Sequence, residues 1–368
     1  MIKTNLTRRG FMAASAGAGL MAATTSTRAL AAGNKTVGIV YVGAKDDFGW
    51  SQSHAVAAAK LKDMPGITLV EEERVPETSA VAKSMESMIQ LDGAEVIFGS
   101  SFGYFDPFMI DLAKKYPGVQ FRHATTLWNA DQHPANLGGY FCYIEQGHYV
   151  NGIAAGLSTK TNKLGFVAAK PLALVLRTVN AFAMGLRKVN PEATVQLIIT
   201  GEWTLPVREA EATNALINAG CDVIACHVDS PKVVVETAEN RGAMTCGHNA
   251  NQSPLAPKGF ITGAELNWGR VYTDYAEMLL AGEPIPNLSE GGYDNDMVTS
   301  TPFGAGATEE AKAAATKAIE ALKAGAPIFT GPLKDNTGKT ISETDMSLYD
   351  PALWGTDYLV EGVIGSVS

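Results

Sequence analysis

The chain has 368 residues, 46% of them hydrophobic and 18% charged, a composition that is typical of a folded protein and excludes wholesale disorder. Its net charge of −9 becomes −13 without the first 31 residues, which contain four basic residues and no acidic one. Nucleic-acid binders and polybasic membrane-surface proteins need a positively charged face, so the charge argues against both classes, and the length predicts one large domain or two ordinary ones.

The first 31 residues have the three parts of an export signal. Met1–Arg9 is basic, Phe11–Thr25 is an uncharged run rich in Ala and Gly, and Ala29–Ala31 has the small-x-small pattern of a cleavage site. Thr7–Met12 carries a twin-arginine pattern, which directs bacterial export by the Tat route. A disordered tail is the alternative. We expect a cleaved signal peptide, a periplasmic mature protein and no lipid anchor, because no Cys follows the signal.

Short β-branched runs alternate with helical periodicities from residue 35 onward. The first series predicts strands at Val37–Val42, Ile67–Val75, Val96–Ser101 and Val119–Thr125, and helices at 51–63, 79–92 and 107–116. The second predicts strands at Lys163–Ala169, Thr194–Thr200, Asp222–Val228 and Met244–His248, and helices at 173–189, 205–219 and 231–241. Two such series predict an α/β fold with two doubly wound parallel-sheet lobes.

Further strand-like runs lie between or after the two series and belong clearly to neither. They are Leu137–Ile144 and Gly259–Trp268, each followed by a helix, and a possible return at Asp296–Thr301 before a helix over Thr308–Leu322. We interpret the first two as crossovers between lobes, so that the second lobe is inserted into the first. The predicted boundaries are residues 32–145 and 269–296 for lobe 1, and 146–268 and 297–368 for lobe 2.

Four cysteines are too few for a disulfide scaffold in a chain of this length. They are Cys142, Cys221, Cys226 and Cys246. Cys226 and Cys246 fall in apolar strand-like runs, where free buried cysteines are expected and a disulfide is the alternative. With His227 and His248 they do not have the spacing of a common zinc site, so no metal is predicted.

Ligands of open parallel sheets bind beyond the carboxyl ends of the strands, and four of the five tryptophans lie at these ends or at a crossover. Rings that face each other from two lobes form a slot for a flat ring, and each stacked face adds about 0.5–1.5 kcal/mol beyond area burial. Asp229 suits the N–H groups of a nucleobase or the hydroxyls of a sugar. We expect ligand contacts from Phe48, Trp50, Phe102, Gly103, Trp128, Trp203, Asp229, His248, Asn267 and Trp268. Packing is the alternative for the aromatic residues, and helix capping for Asp229.

Motifs of catalysis give little support to an enzyme. No P-loop occurs, the six histidines lack metal-site spacing, and no G-x-G-x-x-G follows the first strand. Asp46-Asp47 is a candidate acid pair, for which capping or solvation is the alternative. We expect no enzymatic activity and no cofactor, with an exported nucleoside-processing enzyme as the alternative.

Several of the same segments resemble one protein family. They are Val37–Gly43 with Phe48–Trp50, Phe98–Pro107, Arg177–Gly185, His227–Pro231 and Asn267–Gly269. Over about residues 35–300 the chain resembles the basic membrane protein (BMP) family of substrate-binding proteins, the purine-binding components of ABC importers. The resemblance implies a type I periplasmic-binding fold whose lobes close on a purine nucleobase or nucleoside. It also implies a monomer that delivers this small molecule to an ABC permease in the inner membrane.

The resemblance implies roles for individual residues. Trp50 and Phe102 match ligand contacts from the first lobe, Trp203 matches the aromatic residue of the second lobe, and Asp229 matches the polar group opposite it. Asn267-Trp268 matches the crossover segment that lines the cleft.

The chain also departs from the family pattern in two loops. Asp46–Trp50 reads Asp-Asp-Phe-Gly-Trp where many nucleoside binders have Asp-Lys-Ser-Phe-Asn, and Asp229–Pro231 replaces a Gly-rich segment. These departures favour a free base such as adenine over a nucleoside. Another solute, a sugar or a carboxylate metabolite, is the alternative, and Arg177 is the candidate partner for a carboxylate.

Overall fold

A computed structural model describes residues 34–367. The predicted signal peptide, residues 1–31, lies outside them. Two mainly parallel sheets with helices on their faces form two lobes, which confirms the predicted fold class. Between residues 34 and 367, no helix is long and apolar enough to cross a membrane.

The elements follow the predicted series, with ends that differ by a few residues. Strands β1 to β8 are Lys35–Val40, Ile67–Glu72, Ala94–Gly99, Gln120–His123, Leu137–Cys142, Lys163–Ala168, Thr194–Ile199 and Val223–His227. Strands β9 to β15 are Met244–Asn249, Phe260–Leu266, Leu288–Gly291, Val298–Thr301, Leu333–Lys334, Thr340–Ser342 and Val363–Ile364. Helices α1 to α9 are Trp50–Lys62, Ser79–Gln90, Ile110–Lys115, Glu145–Gly156, Ala173–Val189, Pro206–Asn218, Lys232–Asn240, Gly269–Ala281 and Glu309–Lys323.

Each of the two sheets has a point where the strand order reverses, and a ligand can bind at the carboxyl ends of the strands there. The first sheet runs β11-β5-β4-β3-β1-β2, and the second runs β12-β10-β9-β8-β6-β7-β15. Strands in both sheets pair in parallel except β10 with β12. In each sheet the first strand of its series, β1 or β6, lies between the next two strands of that series. The strand order reverses there, so loops diverge at the carboxyl ends and leave room for a ligand.

The chain passes between the sheets in three places. It leaves the first sheet after β5 through α4, returns after β10 through α8 and β11, and leaves again to β12. Helix α8 packs on α1 beside the first sheet, whereas α4 packs on α5 and β10 beside the second. Strand β11 has the sequence Leu-Ser-Glu-Gly, which is too short and too polar to be predicted from hydrophobic runs.

Helices α4 and α5 pack at backbone distance because each has a glycine at the contact. A Cβ added to Gly152 would lie 2.0 Å from the Phe182 carbonyl oxygen, and one added to Gly185 would lie 2.0 Å from that of Tyr149. Every residue of α4 is buried. This close contact joins the first crossover helix rigidly to the second lobe.

We predict that Gly185→Ala lowers the free energy of unfolding by about 1–3 kcal/mol, because the added methyl group forces the two helices apart. Urea unfolding followed by circular dichroism measures the change. Gly118→Ala is the matched control, since nothing lies within 4 Å of a Cβ at that position. Equal stability of the two variants would contradict the glycine contact.

All four cysteines are free and buried. Strands β8 and β9 pair Ile224 with Thr245, so the next residue of β9, Cys246, lies beside Ala225 and not beside Cys226. Neighbouring residues of a strand point to opposite faces, and the two cysteines accordingly belong to different core clusters. The alternative of a disulfide between them is therefore wrong.

The C-terminal segment after α9 lies against the start of α5. The Trp354 ring lies over the Arg177 guanidinium at 4.8 Å and beside the Phe141 ring at 5.3 Å. Arg177 is 1% exposed, forms an ion pair with Glu145 and donates to the Leu348 carbonyl oxygen at 3.1 Å. The segment thus covers a buried ion pair between α4 and α5.

Candidate ligand-binding site

The loop between β1 and α1 fixes the first aromatic residue of the site. The Asp47 carboxylate accepts hydrogen bonds from the backbone N–H groups of Gly49, Ser51 and Gln52 at 2.8–3.0 Å. These bonds satisfy the free donors at the start of α1. Trp50 begins the helix, and its Nε1 donates to the Ser100 carbonyl oxygen at 2.6 Å. The indole is therefore held against the end of β3.

A cavity lies between the carboxyl ends of the two sheets, with an empty volume of about 640 Å³ that includes its opening to solvent. Apolar side chains form most of the wall: Trp50, Phe102, Phe141, Trp203 and Trp268, with Ala124, Cys142, Ile144, Leu174 and Leu266. The polar lining residues are Ser101, Thr125, His227, Asp229 and Asn249. An apolar wall with a few polar groups is typical of small-molecule sites.

Three hydrogen bonds join the lobes at the rim of this cavity. They are Trp50 N–H to the Asp229 carbonyl oxygen at 2.9 Å, Ser230 Oγ to the Asp47 carbonyl oxygen at 3.2 Å, and Gln252 Nε2 to the Phe48 carbonyl oxygen at 2.7 Å. Gln252 is itself fixed, because its amide bonds both the N–H and the carbonyl oxygen of His248. The lobes are thus in contact, and the cavity is partly enclosed.

The structure brings five of the ten predicted site residues to the cavity: Trp50, Phe102, Trp203, Asp229 and Trp268. Phe102 is 44% exposed, and its ring pairs with no other aromatic ring or cation in the range 34–367. Trp268 is buried, stacks on His54 at 4.6 Å and donates from Nε1 to Ser53 Oγ at 2.9 Å. It forms the floor of the cavity, whereas Phe102 lies at the edge.

The other five predicted residues are not among those lining the cavity. Each of them is bonded elsewhere in the protein. The Phe48 carbonyl oxygen accepts from Gln252, and the Gly103 N–H donates to the Glu77 carboxylate. Trp128 Nε1 donates to the Pro134 carbonyl oxygen, the His248 ring bonds the His148 ring, and Asn267 Nδ2 donates to the Asp296 carbonyl oxygen. Phe48 and His248 therefore contribute to the contact between lobes through Gln252.

Sequence reasoning did not place His227 and Asn249 in the site, although both line the cavity. One signal was present for His227: it is two residues before Asp229, and alternate residues of an extended strand point the same way. The sequence predicts His248 as the ligand contact at the end of β9 and not its neighbour Asn249, but the side chain of His248 points to the opposite face of the strand. Phe141 carried no signal, because a buried strand reads as a continuous apolar run.

Asp229 carries a carboxyl group with no hydrogen-bond partner among residues 34–367, although the side chain is only partly exposed. Burial raises the pKa of this carboxyl well above its ordinary value. The nearby carboxylates of Asp47, Glu77 and Glu209 raise the pKa further, and Lys170 lowers it. An unpaired carboxyl group in an apolar cavity is suited to bind a hydrogen-bond donor of a ligand.

Gly99–Gly103 has the G-x-S-x-G spacing of a hydrolase nucleophile, with Ser101 at its centre. The Ser101 hydroxyl donates to the Glu77 carboxylate at 2.5 Å. His123 contacts the Ser101 carbonyl oxygen at 2.7 Å and not its hydroxyl. A nucleophilic serine needs a base that accepts its proton and passes it to a leaving group, and this histidine is not placed to do so.

The model of PnrA-like ABC transporter substrate-binding proteins (Bmp) matches residues 34–299. The chain belongs to this family. The predicted family is therefore confirmed, and the Bmp protein is an ABC transporter substrate-binding protein, with a small-molecule ligand and a permease as partner. Proteins of this family act outside the cytoplasm.

Two proteins of similar sequence are named for different ligands. A purine-binding protein of Brucella abortus is 31% identical over 89% of this chain and 92% of its own length. A putative ABC transporter glucose-binding protein of Haloferax volcanii is 34% identical over 74% of this chain and 68% of its own length.

Solved structures agree on the fold. An ABC transporter solute-binding protein from Conexibacter woesei has a TM-score of 0.67 at 23% identity, covering 79% of this chain and 97% of that one. Another from Aeropyrum pernix has a TM-score of 0.68 at 14% identity, covering 88% and 96%. These similarities confirm the type I periplasmic-binding fold of this Bmp chain.

Proposed function

We propose that the protein captures a purine nucleobase or nucleoside, with adenine favoured, in the cavity between its lobes and delivers it to an ABC permease in the inner membrane. The observation that carries this proposal is the aromatic cavity with one unpaired carboxyl group, Asp229. A planar heterocycle with N–H groups complements both features. The similarity to the Brucella purine-binding protein supports the same ligand class.

A sugar is the second candidate, because the Haloferax relative is named as a putative glucose-binding protein. Sugars also stack on tryptophan and donate hydroxyl protons to carboxylates. A carboxylate metabolite has less support: Arg177, its predicted partner, is paired with Glu145 and covered by Trp354, and no Lys or Arg is among the described residues that line the cavity.

The same proposal includes the organisation of the exported protein. Lobe 1 comprises residues 32–145 and 269–296, and lobe 2 comprises residues 146–268 and 297–368. Packing of α8 on α1 and of α4 on α5 supports these boundaries. We propose Tat export, cleavage near Ala31, a periplasmic location and a monomer that works by hinge closure.

We also propose that the protein performs no catalysis, which the bonding of Ser101 supports. Incubation with adenosine or inosine, followed by chromatography, tests this point. The expected result is unchanged nucleoside. Release of free base in proportion to the amount of protein would contradict it.

Thermal unfolding with a ligand panel tests the ligand class. Residues 32–368 are purified, unfolded and refolded to remove carried-over ligand, then heated with purine bases, nucleosides, ribose, glucose and amino acids. A ligand at one hundred times its dissociation constant adds about 2.7 kcal/mol of stability. We expect this rise with a purine, and we expect Trp203→Ala to abolish it. A response to glucose alone would favour the sugar.

The affinity for adenine is expected to increase as the pH rises. Asp229 has a raised pKa in the free protein, with Asp47, Glu77, Glu209 and Lys170 as its charged neighbours. Binding of N–H donors favours the carboxylate and therefore releases a proton, so the dissociation constant falls with pH until Asp229 is ionised in the free protein. Calorimetric titrations from pH 4.5 to 8.5 measure this trend, which Asp229→Asn removes. A flat profile in the unsubstituted protein would contradict it.

A further inference from the structure

We infer that the cavity selects purines by their N–H donors, so that an aminopurine binds and an isostere without amino hydrogens is rejected. The inference rests on the proposed function and extends it to the choice among purines. It follows from the hydrogen-bonding roles of the polar lining groups, because most of these groups have already used their protons within the protein.

His227 is 7% exposed and lines the cavity. Its Nδ1 lies 3.1 Å from the hydroxyl of buried Thr178. That hydroxyl has one proton, which it donates to the Leu174 carbonyl oxygen at 2.9 Å. His227 Nδ1 must then carry the hydrogen and donate to Thr178 Oγ1. Burial lowers the pKa of His227 to about 3, so the ring is neutral and Nε2 is an acceptor.

Two of the polar lining groups are hydroxyls, those of Ser101 and Thr125. The Ser101 hydroxyl donates its hydrogen bond to the Glu77 carboxylate. His123 Nε2 lies 2.7 Å from the Ser101 carbonyl oxygen and must donate to it, so His123 Nδ1 is an acceptor. Thr125 Oγ1 lies 2.7 Å from this Nδ1 and therefore donates its proton there. The Ser101 oxygen keeps both lone pairs for a ligand. Thr125 Oγ1 also accepts from the Leu127 N–H at 3.2 Å and keeps one lone pair. Neither hydroxyl has a proton left to donate to a ligand.

The remaining polar lining groups are Asp229 and Asn249. Asp229 is an acceptor only once it is ionised, the state that binding of a ligand N–H favours. Asn249 is 3% exposed, and its side-chain amide makes no hydrogen bond with residues 34–367. The Asn249 NH₂ is the one side-chain donor among these lining groups. The other four, His227, Asp229, Ser101 and Thr125, offer the ligand acceptors. A ligand with several N–H groups complements this set, whereas a ligand with only acceptors leaves it unpaired.

A matched series of bases tests the inference. Purine, adenine and 2,6-diaminopurine gain an exocyclic amino group at each step, and 6-methylpurine replaces the amino group of adenine with a methyl group of similar size. We expect affinity to rise along the first three, and 6-methylpurine to bind at least about tenfold more weakly than adenine, because buried acceptors then lose their partner. Calorimetric titration at one pH measures the four dissociation constants.

Thr178 is the positioning residue in this scheme. Thr178→Val keeps the shape of the side chain but removes the acceptor that fixes the His227 proton on Nδ1. We expect the affinity ratio of adenine to 6-methylpurine to fall at least about threefold, and Thr178→Ser to restore it. The ¹⁵N chemical shifts of His227 provide a second readout: a pyridine-type Nε2 is expected in the unsubstituted protein and in Thr178→Ser.

The outcomes separate this inference from the proposed function. Binding of all four bases with equal affinity, or a protonated Nε2 on His227, would overturn donor selection while leaving a purine-binding protein. No binding of any purine would overturn the proposed function itself. An unfolded Thr178→Val variant would leave the base series and the ¹⁵N shifts of the unsubstituted protein as the deciding tests.

Discussion

Asp229→Asn is expected to weaken adenine binding by about 10- to 100-fold, since a hydrogen bond to a charged group contributes about 1.5–3 kcal/mol. The same change is expected to stabilise the ligand-free protein. Asp229 has a raised pKa in the folded state, so the folded chain holds more protons than the unfolded chain between the ordinary aspartate pKa and the raised one. Stability falls as pH rises through that window, and asparagine removes this loss.

Calorimetric titration with adenine and thermal unfolding without ligand at pH 7.5 measure the two effects. Asp92→Asn is the matched control, because Asp92 is exposed and its carboxylate has no hydrogen-bond partner among residues 34–367. The control should change neither quantity. An Asp229→Asn variant that keeps full affinity would show that this carboxyl group does not contact the ligand.

Arg177→Met is expected to lower the free energy of unfolding by about 3–5 kcal/mol, because it leaves the buried Glu145 carboxylate without its cation. Both side chains are almost fully buried. The Arg177 guanidinium also lies over the rings of Tyr143 and Trp354, at 5.2 and 4.8 Å from their centroids. The substitution therefore removes an ion pair and loosens the C-terminal segment at once.

Urea unfolding at pH 5 and pH 8 measures this effect. Burial already raises the pKa of Glu145, and Arg177 opposes the rise, so without Arg177 the carboxyl is expected to be protonated more readily and the loss to be smaller at pH 5. Arg187→Met is the matched control: the side chains of its ion pair with Glu361 are 28% and 61% exposed, and pairs open to solvent contribute about 0–1 kcal/mol. Replacing both Arg177 and Glu145 with apolar residues should recover part of the lost stability. Equal losses in the Arg177 and Arg187 variants would contradict the account.

The sequence predicts the two-sheet fold well because buried parallel strands read as apolar runs between amphipathic helices. Val96–Ser101 and Lys163–Ala169 are such runs, and both are strands of the structure, β3 and β6. The sequence does not predict strands that form by pairing with a neighbouring strand and lack an apolar run of their own. Strand β11 and the C-terminal strand β15 are of this kind, since each is short and adds to the edge of a sheet already formed.

The site is predicted in part for a related reason. Trp50, Phe102 and Trp203 stand out because large aromatic residues at strand ends are few. The choice between neighbours, such as His248 and Asn249, depends on which way a strand's side chains alternate, and that follows from the register with the next strand. The proton on His227 depends on Thr178, which lies on another element and which no local pattern connects to it.

A crystal structure of residues 32–368 grown with adenine shows whether the cavity between the lobes holds a purine. We expect density for one planar base in the cavity, stacked against Trp203 and lying beside Trp50 and Phe102, with its amino edge within hydrogen-bond distance of the Asp229 carboxylate. A cavity that holds a non-aromatic solute in place of adenine, or adenine bound only at the outer surface, would contradict the proposal that this Bmp protein captures a purine.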